Sequence, residues 1–379
     1  MKNTKEYITG RSGNLAEIKH IVAIASGKGG VGKSTLSANL AAALAKNGAK
    51  VGLMDADIYG ASQPNMLGKT GDVRVEGNLM IPLERHGIRF ISMGLLADKE
   101  RAVIWRAPIA VQMIQHFINS VNWGKLDYLL IDLPPGTGDI QLTLSQSAEL
   151  SGAVIVSTPQ QTALDIAYKG LKMFEQVNVP IVGIIENMSG FTCPHCGNTT
   201  HIFDRGGAEE LAQKLEIPFL GAIPIDPQIM SSSDEGIPMV FKEPDSPTSK
   251  ALLKVAEKLR ESLDYLEDKL APLTPIKEEI DPKTGELTVT WKDGHKTKHS
   301  PYNLRIACRC AHCVDEHTGE KLLDPSTVPL DIKLLDIKRL GRYAYQLTFS
   351  DYHNSGIFTY KRLRNELDEN SSKNDSFEV

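Results

Sequence analysis

Three groups of residues have the types and spacing to do chemistry. The first is Gly27-Lys28-Gly29-Gly30-Val31-Gly32-Lys33-Ser34, which fits G-x-x-x-x-G-K-S/T. Glycines allow the backbone turns that aim successive N–H groups at phosphate oxygens. The N-terminus of a following helix adds partial positive charge. Lys33 would reach the β- and γ-phosphates and Ser34 would ligate Mg2+, with Thr35 next in the same nucleotide-binding loop. The second group is acidic: Asp55, Asp57 and Asp132, each at or just past the end of an apolar run. A carboxylate there can hold Mg2+ through water or orient the attacking water, so Asp57 is assigned to water positioning and Asp55 and Asp132 to the metal shell. Taken singly, each Asp could instead cap a helix. The third group is the five cysteines, which fall into two tight sets: Cys193 and Cys196, then Cys308, Cys310 and Cys313. An odd number at such short spacings reads as metal ligands or redox thiols rather than as a disulfide framework.

A ligand count narrows the first thiol set. A Cys-held cluster or a structural zinc wants four ligands. Cys193-x-x-Cys196 supplies two, and no other cysteine lies between residues 20 and 270. Two-fold symmetry doubles the count, so a homodimer could share a labile [4Fe–4S] cluster on four thiols. Other solutions are open at this point. One zinc could bridge the same thiols, Cys193, Cys196 and His201 with His195 could build a local zinc site, or the pair could be a redox dithiol.

Around these groups, residues 20–225 alternate apolar β-branched runs with helical patterns. The runs are His20–Ser26, Lys50–Asp55, Gly87–Ser92, Tyr128–Asp132, Ala153–Ser157, Ile181–Asn187 and Phe219–Pro224. Unbroken apolar strings suit parallel strands buried on both faces. The predicted fold is therefore α/β, a doubly wound and mostly parallel sheet, whose ligands bind at the carboxyl ends of the strands. In the helix expected over Lys33–Asn47, Leu36, Leu40 and Leu44 share one side. Spacings of three and four from Leu252 to Leu270 predict a long amphipathic helix packed on this domain. Ala271-Pro272-Leu273-Thr274-Pro275 breaks it. Beyond the break Leu287, Val289 and Trp291, then Tyr343, Tyr345, Leu347 and Phe349, alternate with polar residues, as half-exposed antiparallel strands do. The expected organisation is an N-terminal extension (1–19), an α/β domain (20–270), a linker (271–279), a small β-rich domain (280–364) and an acidic disordered tail (365–379).

The 379 residues carry 42 Lys and Arg against 47 Asp and Glu, a net charge of −5, which weighs against nucleic acid as the main partner. No apolar run approaches the roughly 18 residues of a membrane span. The first residues show no secretory h-region, so a cytoplasmic protein with no membrane partner is expected.

Lys28, a second lysine just after the first glycine, makes the phosphate loop a variant form. It resembles the loop of the dimeric ATPases that include nitrogenase iron protein, the division-site and plasmid-partition ATPases and the Mrp/ApbC iron–sulfur carriers. The resemblance implies that Lys28 acts in trans, on the phosphates of a partner subunit. It also implies that Asn187 hydrogen-bonds adenine and that Pro224 packs against it. Asp55-Ala56-Asp57-Ile58-Tyr59-Gly60 and Glu186-Asn187-Met188-Ser189-Gly190-Phe191-Thr192-Cys193-Pro194-His195-Cys196-Gly197 closely resemble the Mrp/ApbC carriers over roughly residues 18–265. Trp105-Arg106-Ala107-Pro108 and Ser157-Thr158-Pro159-Gln160 add to the likeness. Ala61, Ala107 and Gln161 depart from the usual pattern, and none of them removes a phosphate contact or a thiol.

The resemblance implies an ATPase using Lys28, Lys33 and Asp57, with ATP, Mg2+ and a [4Fe–4S] cluster. Its partners would be a second copy of the chain, apo client proteins and cluster scaffold proteins. Residues 291–325, with Cys308-Arg309-Cys310-Ala311-His312-Cys313, resemble the N-terminal domain of γ-butyrobetaine hydroxylase-like enzymes. That likeness implies Zn2+ on Cys308, Cys310, Cys313 and His353, a closed and therefore structural set; a second iron–sulfur site on these thiols is an alternative. The rival functions are a partition or positioning ATPase, a nucleotide-sensing zinc protein, and an electron-transfer ATPase like nitrogenase iron protein.

Overall fold

The apolar runs become parallel strands covered on both faces. They are β1 (Ile18–Ser26), β2 (Val51–Asp55), β3 (Ile88–Ser92), β4 (Leu126–Asp132), β5 (Gly152–Ser157), β6 (Ile181–Thr192) and β7 (Phe219–Ile225). Successive side chains of a strand point to opposite faces. Accordingly Ile21, Ala23 and Ala25 of β1 enter one apolar core while Val22 and Ile24 enter the other. That double burial is why the run shows no alternation.

The computed structural model describes residues 13–57, 60–68, 71–96, 107–136, 138–193, 196, 198–315 and 318–368. Trp105-Arg106, Pro194-His195, residues 1–12 and residues 369–379 lie outside them. The chain divides into two compact units, Met1–Leu266 and Glu267–Val379.

In the first unit the parallel strands run in the order β7-β6-β5-β1-β4-β2-β3, with short antiparallel strands Leu83–Arg85 beside β3 and Thr199–Thr200 beside β6. Helices α1 (Lys33–Lys46) and α7 (Pro247–Leu270) supply one core. Helices α3 (Ala107–Ser120), α4 (Asp139–Ser147), α5 (Gln161–Gln176) and α6 (Gly207–Lys214) supply the other. The short α2 (Gln63–Met66) follows β2. This is the doubly wound, mostly parallel α/β fold. The chain leaves β1 for α1 and returns at β2 with β4 lying between them, so the loop after β1 opens at the carboxyl edge of the sheet's centre. α1 is buried nearly all round, beyond the Leu36, Leu40 and Leu44 side.

The second unit holds two three-stranded antiparallel sheets. One comprises β8 (Pro275–Ile280), β9 (Leu287–Trp291) and β10 (Lys296–His299), and the other β11 (Leu334–Leu340), β12 (Ala344–Phe349) and β13 (Ile357–Thr359). Helices α8 (Pro301–Ile306) and α9 (Tyr360–Asn365) accompany them. Leu287, Val289, Trp291, Tyr345, Leu347 and Phe349 are fully buried, as their alternation predicts, whereas Tyr343 falls in the turn before β12 and is half-buried.

Several boundaries differ from the expectation. β1 begins at Ile18, inside the stretch assigned to the N-terminal extension. The supposed linker is ordered: a short 3-10 turn at Ala271–Leu273 leads into β8, whose pairing with β9 gives its backbone groups partners. The tail is tied down as far as Asp368, which is buried and accepts the Lys298 N–H at 3.4 Å, while His299 Nδ1 donates to the Leu367 carbonyl at 2.8 Å. Most relevant to function, β6 does not close at Asn187. It runs on to Thr192, because β7 continues to pair with it and a hairpin to Thr199–Thr200 completes its far end.

β6 and β7 approach closely at Gly183, where an added Cβ would lie 2.6 Å from Leu220 Cγ and 2.7 Å from the Pro218 carbonyl oxygen. A carbonyl in a sheet cannot move aside, so Gly183→Ala is expected to destabilise the protein by about 1–3 kcal/mol, read as a lower urea midpoint.

Candidate functional site

The loop from Gly27 to Ser34 joins β1 to α1. Gly32 caps α1 at φ 81°, and a Cβ there would lie 2.3 Å from the Asn187 amide, so both backbone conformation and space demand glycine. A cavity of about 190 Å³ opens over the loop, lined by Ser26, Lys28, Gly29, Gly30, Val31, Gly32, Lys33, Ser34, Thr35 and Pro135. Asn187, midway along β6, donates from Nδ2 to the Val31 carbonyl at 2.8 Å. In this state its amide therefore braces the phosphate loop. Pro224 lies half-buried within β7 rather than at its end. Lys28 Nζ donates to Gln160 Oε1 of the same chain at 3.2 Å.

The strand register brings the acidic residues together: Asp55 of β2 pairs with Asp132 of β4 on one side and Ser92 of β3 on the other. Both carboxylates are fully buried. Asp132 holds Lys33 Nζ at 2.6 Å and accepts from Ser37 Oγ at 2.9 Å and Gln63 Nε2 at 2.9 Å. Asp55 accepts from Ser92 Oγ at 2.8 Å and from the backbone N–H groups of Gln63 and Asp57, each at 3.2 Å. Burial, then the neighbouring Asp132 charge, pushes the Asp55 pKa up to about 7. A carboxyl kept from ionising by a like charge is a site that a cation would relieve. Asp57 is half-buried, and its carboxylate accepts the Gly60 N–H at 3.1 Å. Sequence reasoning missed Ser37, Gln63 and Ser92. Ser37 was within reach of it, being one helical turn after Lys33; Gln63 and Ser92 depend on how distant strands align.

The thiol pair stands where β6 ends. Cys193 is half-buried and Cys196 exposed, and the Cys193 N–H closes the hairpin on the Asn198 carbonyl at 3.0 Å. Buried Glu186 anchors both sides of this segment, accepting from Ser189 Oγ at 2.8 Å, from Gly206 N at 3.0 Å and from Ala208 N at 2.9 Å at the start of α6. A carboxylate on those N–H groups also suits the positive end of the helix. His201, a candidate for a local zinc site, has Nδ1 2.9 Å from the Ser189 carbonyl, a bond that leaves Nε2 open. Among the described residues no third metal-binding side chain gathers with Cys193 and Cys196.

In the second unit, Cys308, Cys310, Cys313 and His353 bring their ligand atoms within 4.8 Å of one another. His353 Nε2 lies 3.2, 3.6 and 3.9 Å from the three sulfurs in that order. Zinc–sulfur and zinc–nitrogen bonds of ~2.3 and ~2.05 Å in a tetrahedron require sulfur–nitrogen edges of roughly 3.6 Å, so the set fits that ion. Burial pushes the Cys308 thiol up to about 12. Burial also opposes ionisation of Cys310, but hydrogen bonds from Ser355, the His312 backbone and the neighbouring thiols outweigh it and bring that thiol down to about 6. Burial, then Arg305, lowers the His353 pKa and favours the neutral imidazole that metals bind. Arg305 donates to Cys313 Sγ at 3.3 Å and to Asp351 at 2.7 Å, and Asp351 accepts the backbone N–H of His353 at 3.0 Å.

A glycine-rich loop between the central strand and a helix, a buried lysine and two carboxylates at adjacent strand ends define a P-loop nucleoside triphosphatase. The family described as NUBPL iron-transfer P-loop NTPase matches residues 17–260, and this chain belongs to it. The γ-butyrobetaine hydroxylase-like N-terminal family matches residues 279–364. The chain is 47% identical over 252 residues to an iron–sulfur cluster carrier protein of Synechocystis, covering 65% of this chain and 71% of that one. It is 47% identical over 245 residues to the mouse iron–sulfur cluster transfer protein NUBPL, covering 64% and 77%. A solved nucleotide-binding protein of Archaeoglobus fulgidus in complex with ADP is 42% identical, with a TM-score of 0.55 over 62% of this chain and 93% of that one. The Pyrococcus furiosus cell division ATPase MinD is 25% identical with a TM-score of 0.50, over 64% and 99%. No helix among the described residues is long and apolar enough to cross a membrane.

The Asn187 contact has a consequence without nucleotide. Asn187→Ala leaves the Val31 carbonyl without its donor and should cost about 1–3 kcal/mol of unfolding free energy in nucleotide-free protein. A residue that serves the base alone would leave that urea curve where it is.

Proposed function

We propose that this chain is an ATP-hydrolysing carrier that holds a [4Fe–4S] cluster between the Cys193 and Cys196 pairs of a homodimer and passes it to apo client proteins. The observation that carries this reading is that a thiol pair, half-buried at Cys193 and exposed at Cys196 and two ligands short of a cluster's four, follows the strand whose Asn187 grips the phosphate loop. Two copies of that pair make the four thiolates a cluster needs. Names borne by the relatives, iron–sulfur cluster carrier and transfer proteins, support the same cargo. Scaffold proteins would load the cluster, and the cytoplasm, a reducing compartment, would keep the thiols free.

In this reading the cavity over the loop takes the phosphates of ATP, with Lys33 on the β- and γ-phosphates. Ser34, Asp55 and Asp132 serve the Mg2+. Asp57 orients the water whose oxygen attacks the γ-phosphorus as ADP leaves. Lys28 exchanges its contact with Gln160 for the partner subunit's phosphates, so nucleotide draws the subunits together. Asn187 and Pro224 meet the adenine, and the Asn187–Val31 contact then changes with nucleotide state. Such coupling moves cargo only if the cluster or the client binds one nucleotide state better than the other. The three thiols and His353 of the second unit hold a structural Zn2+, closed to further ligands.

Anaerobic reconstitution with iron and sulfide, followed by metal analysis, separates the two metal sites. The Cys193→Ala/Cys196→Ala variant should lose iron and sulfide and keep zinc, whereas His353→Ala should lose zinc and keep the cluster. A cluster retained in full by the double variant would place it on the C-terminal thiols and end the proposal. For Lys28→Ala, sedimentation with a slowly hydrolysed ATP analogue should show monomers that still bind nucleotide. Dimers as stable as those of the wild type would remove Lys28 from the mechanism.

A further inference from the structure

Gln63 opens α2 and is fully buried. It touches each of the three residues assigned above to magnesium. Its backbone N–H donates to Asp55 Oδ2 at 3.2 Å, and its Nε2 donates both to Asp132 Oδ2 and to the Ser34 carbonyl, each at 2.9 Å. Two acceptors on one amide group identify that atom as the nitrogen. The other atom, Oε1, is then a buried carbonyl oxygen with no hydrogen-bond partner among the described residues. Buried acceptors in that condition are rare and call for an explanation. One residue thus ties the strand end of Asp55, the strand end of Asp132 and the first turn of α1, and keeps one acceptor spare. An apolar side chain would fill the same space but leave Asp132 and Ser34 without this donor.

We infer that Gln63 is a positioning residue for the magnesium of the bound nucleotide: it holds Ser34, Asp55 and Asp132 at the spacing the ion requires and offers Oε1 to a water of its shell. This rests on the reading that those three residues serve the magnesium. Outer partners of this kind orient the groups that meet a metal, and removing one typically weakens the metal about 10–100-fold.

The test uses the full chain and a fluorescent ATP analogue, titrated in EDTA and then across a range of Mg2+. Gln63→Met, which keeps the length and removes the polar atoms, should raise the Mg2+ needed for half-maximal tightening by about tenfold or more, with affinity in EDTA unchanged. Gln63→Asn, which retains a shortened amide, should fall between wild type and Gln63→Met, and it carries the test if the methionine variant does not fold. An unchanged Mg2+ requirement, or an equal loss of affinity with and without Mg2+, overturns the inference, the second result marking a brace for the fold alone. Wild-type protein that binds the analogue with no response to Mg2+ would instead remove the assignment of Ser34, Asp55 and Asp132, and the inference with it.

Discussion

One buried ammonium faces two buried carboxylates. Lys33 is paired with Asp132 at 2.6 Å, and Asp55 sits beside Asp132 in strand register. Carboxylates so far from water are tolerated only when surrounded by cations or hydrogen-bond donors. Ser37 and Gln63 supply them to Asp132, and Ser92 with the Gln63 and Asp57 N–H groups supply them to Asp55. An ion pair like this adds little net stability by itself. What sustains it is the apolar sheet around it, filled on both faces from Ile18 to Leu263. With Asp55 ionised, the centre is one positive charge short of balance, which is why its proton is held up to about pH 7. Incoming phosphates would compete with Asp132 for Lys33, and a divalent ion would then settle the carboxylates, which makes nucleotide and cation natural companions at this site.

The geometry of β6 links that centre to the thiols. Asn187 holds the phosphate loop and Glu186 the start of α6, while Ser189 meets both Glu186 and His201. At a strand rise of about 3.3 Å per residue, Cys193 lies at most roughly 20 Å beyond Asn187 along the chain. The register with β7 shifts on the way, from Ile223 opposite Asn187 to Ile225 opposite Phe191. Met188, at φ 60°, is the one residue of β6 in the left-handed region, directly after the loop contact.

The second unit solves a different problem. Its core is a single small cluster built around Trp291, Tyr345, Phe349 and Phe358, with Cys308 and Cys313 among its buried members. Small cores gain stability from a bound metal, and here the ligand set is part of the packing: a Cβ on Gly356 would lie 2.8 Å from Cys308 Sγ. Behind the set, Arg305 donates to the Cys313 sulfur and to Asp351, and Asp351 accepts the backbone N–H of His353. That closed arrangement contrasts with the exposed Cys196. The two thiol sets thus differ in kind, one gathered and largely buried, the other open to solvent at Cys196.

Much of this protein was legible along the chain. Parallel strands announce themselves as apolar runs because both faces are covered, antiparallel ones as alternation because a single face is, and the phosphate loop and both thiol sets are local patterns whose chemistry follows from spacing. The continuation of β6 was hidden, since Asn187, Ser189 and Gly190 interrupt the apolar run and only β7 and the hairpin keep the strand going. Gln63 sits in a polar turn with nothing to mark it, and the binding of Asn187 to Val31 spans 156 positions. His353 joined the three cysteines through family likeness rather than spacing, because 40 residues separate it from Cys313. Short-range periodicity records how each segment is buried. It does not record which strand lies beside which, or in what register, and those are the facts that place a donor opposite an acceptor.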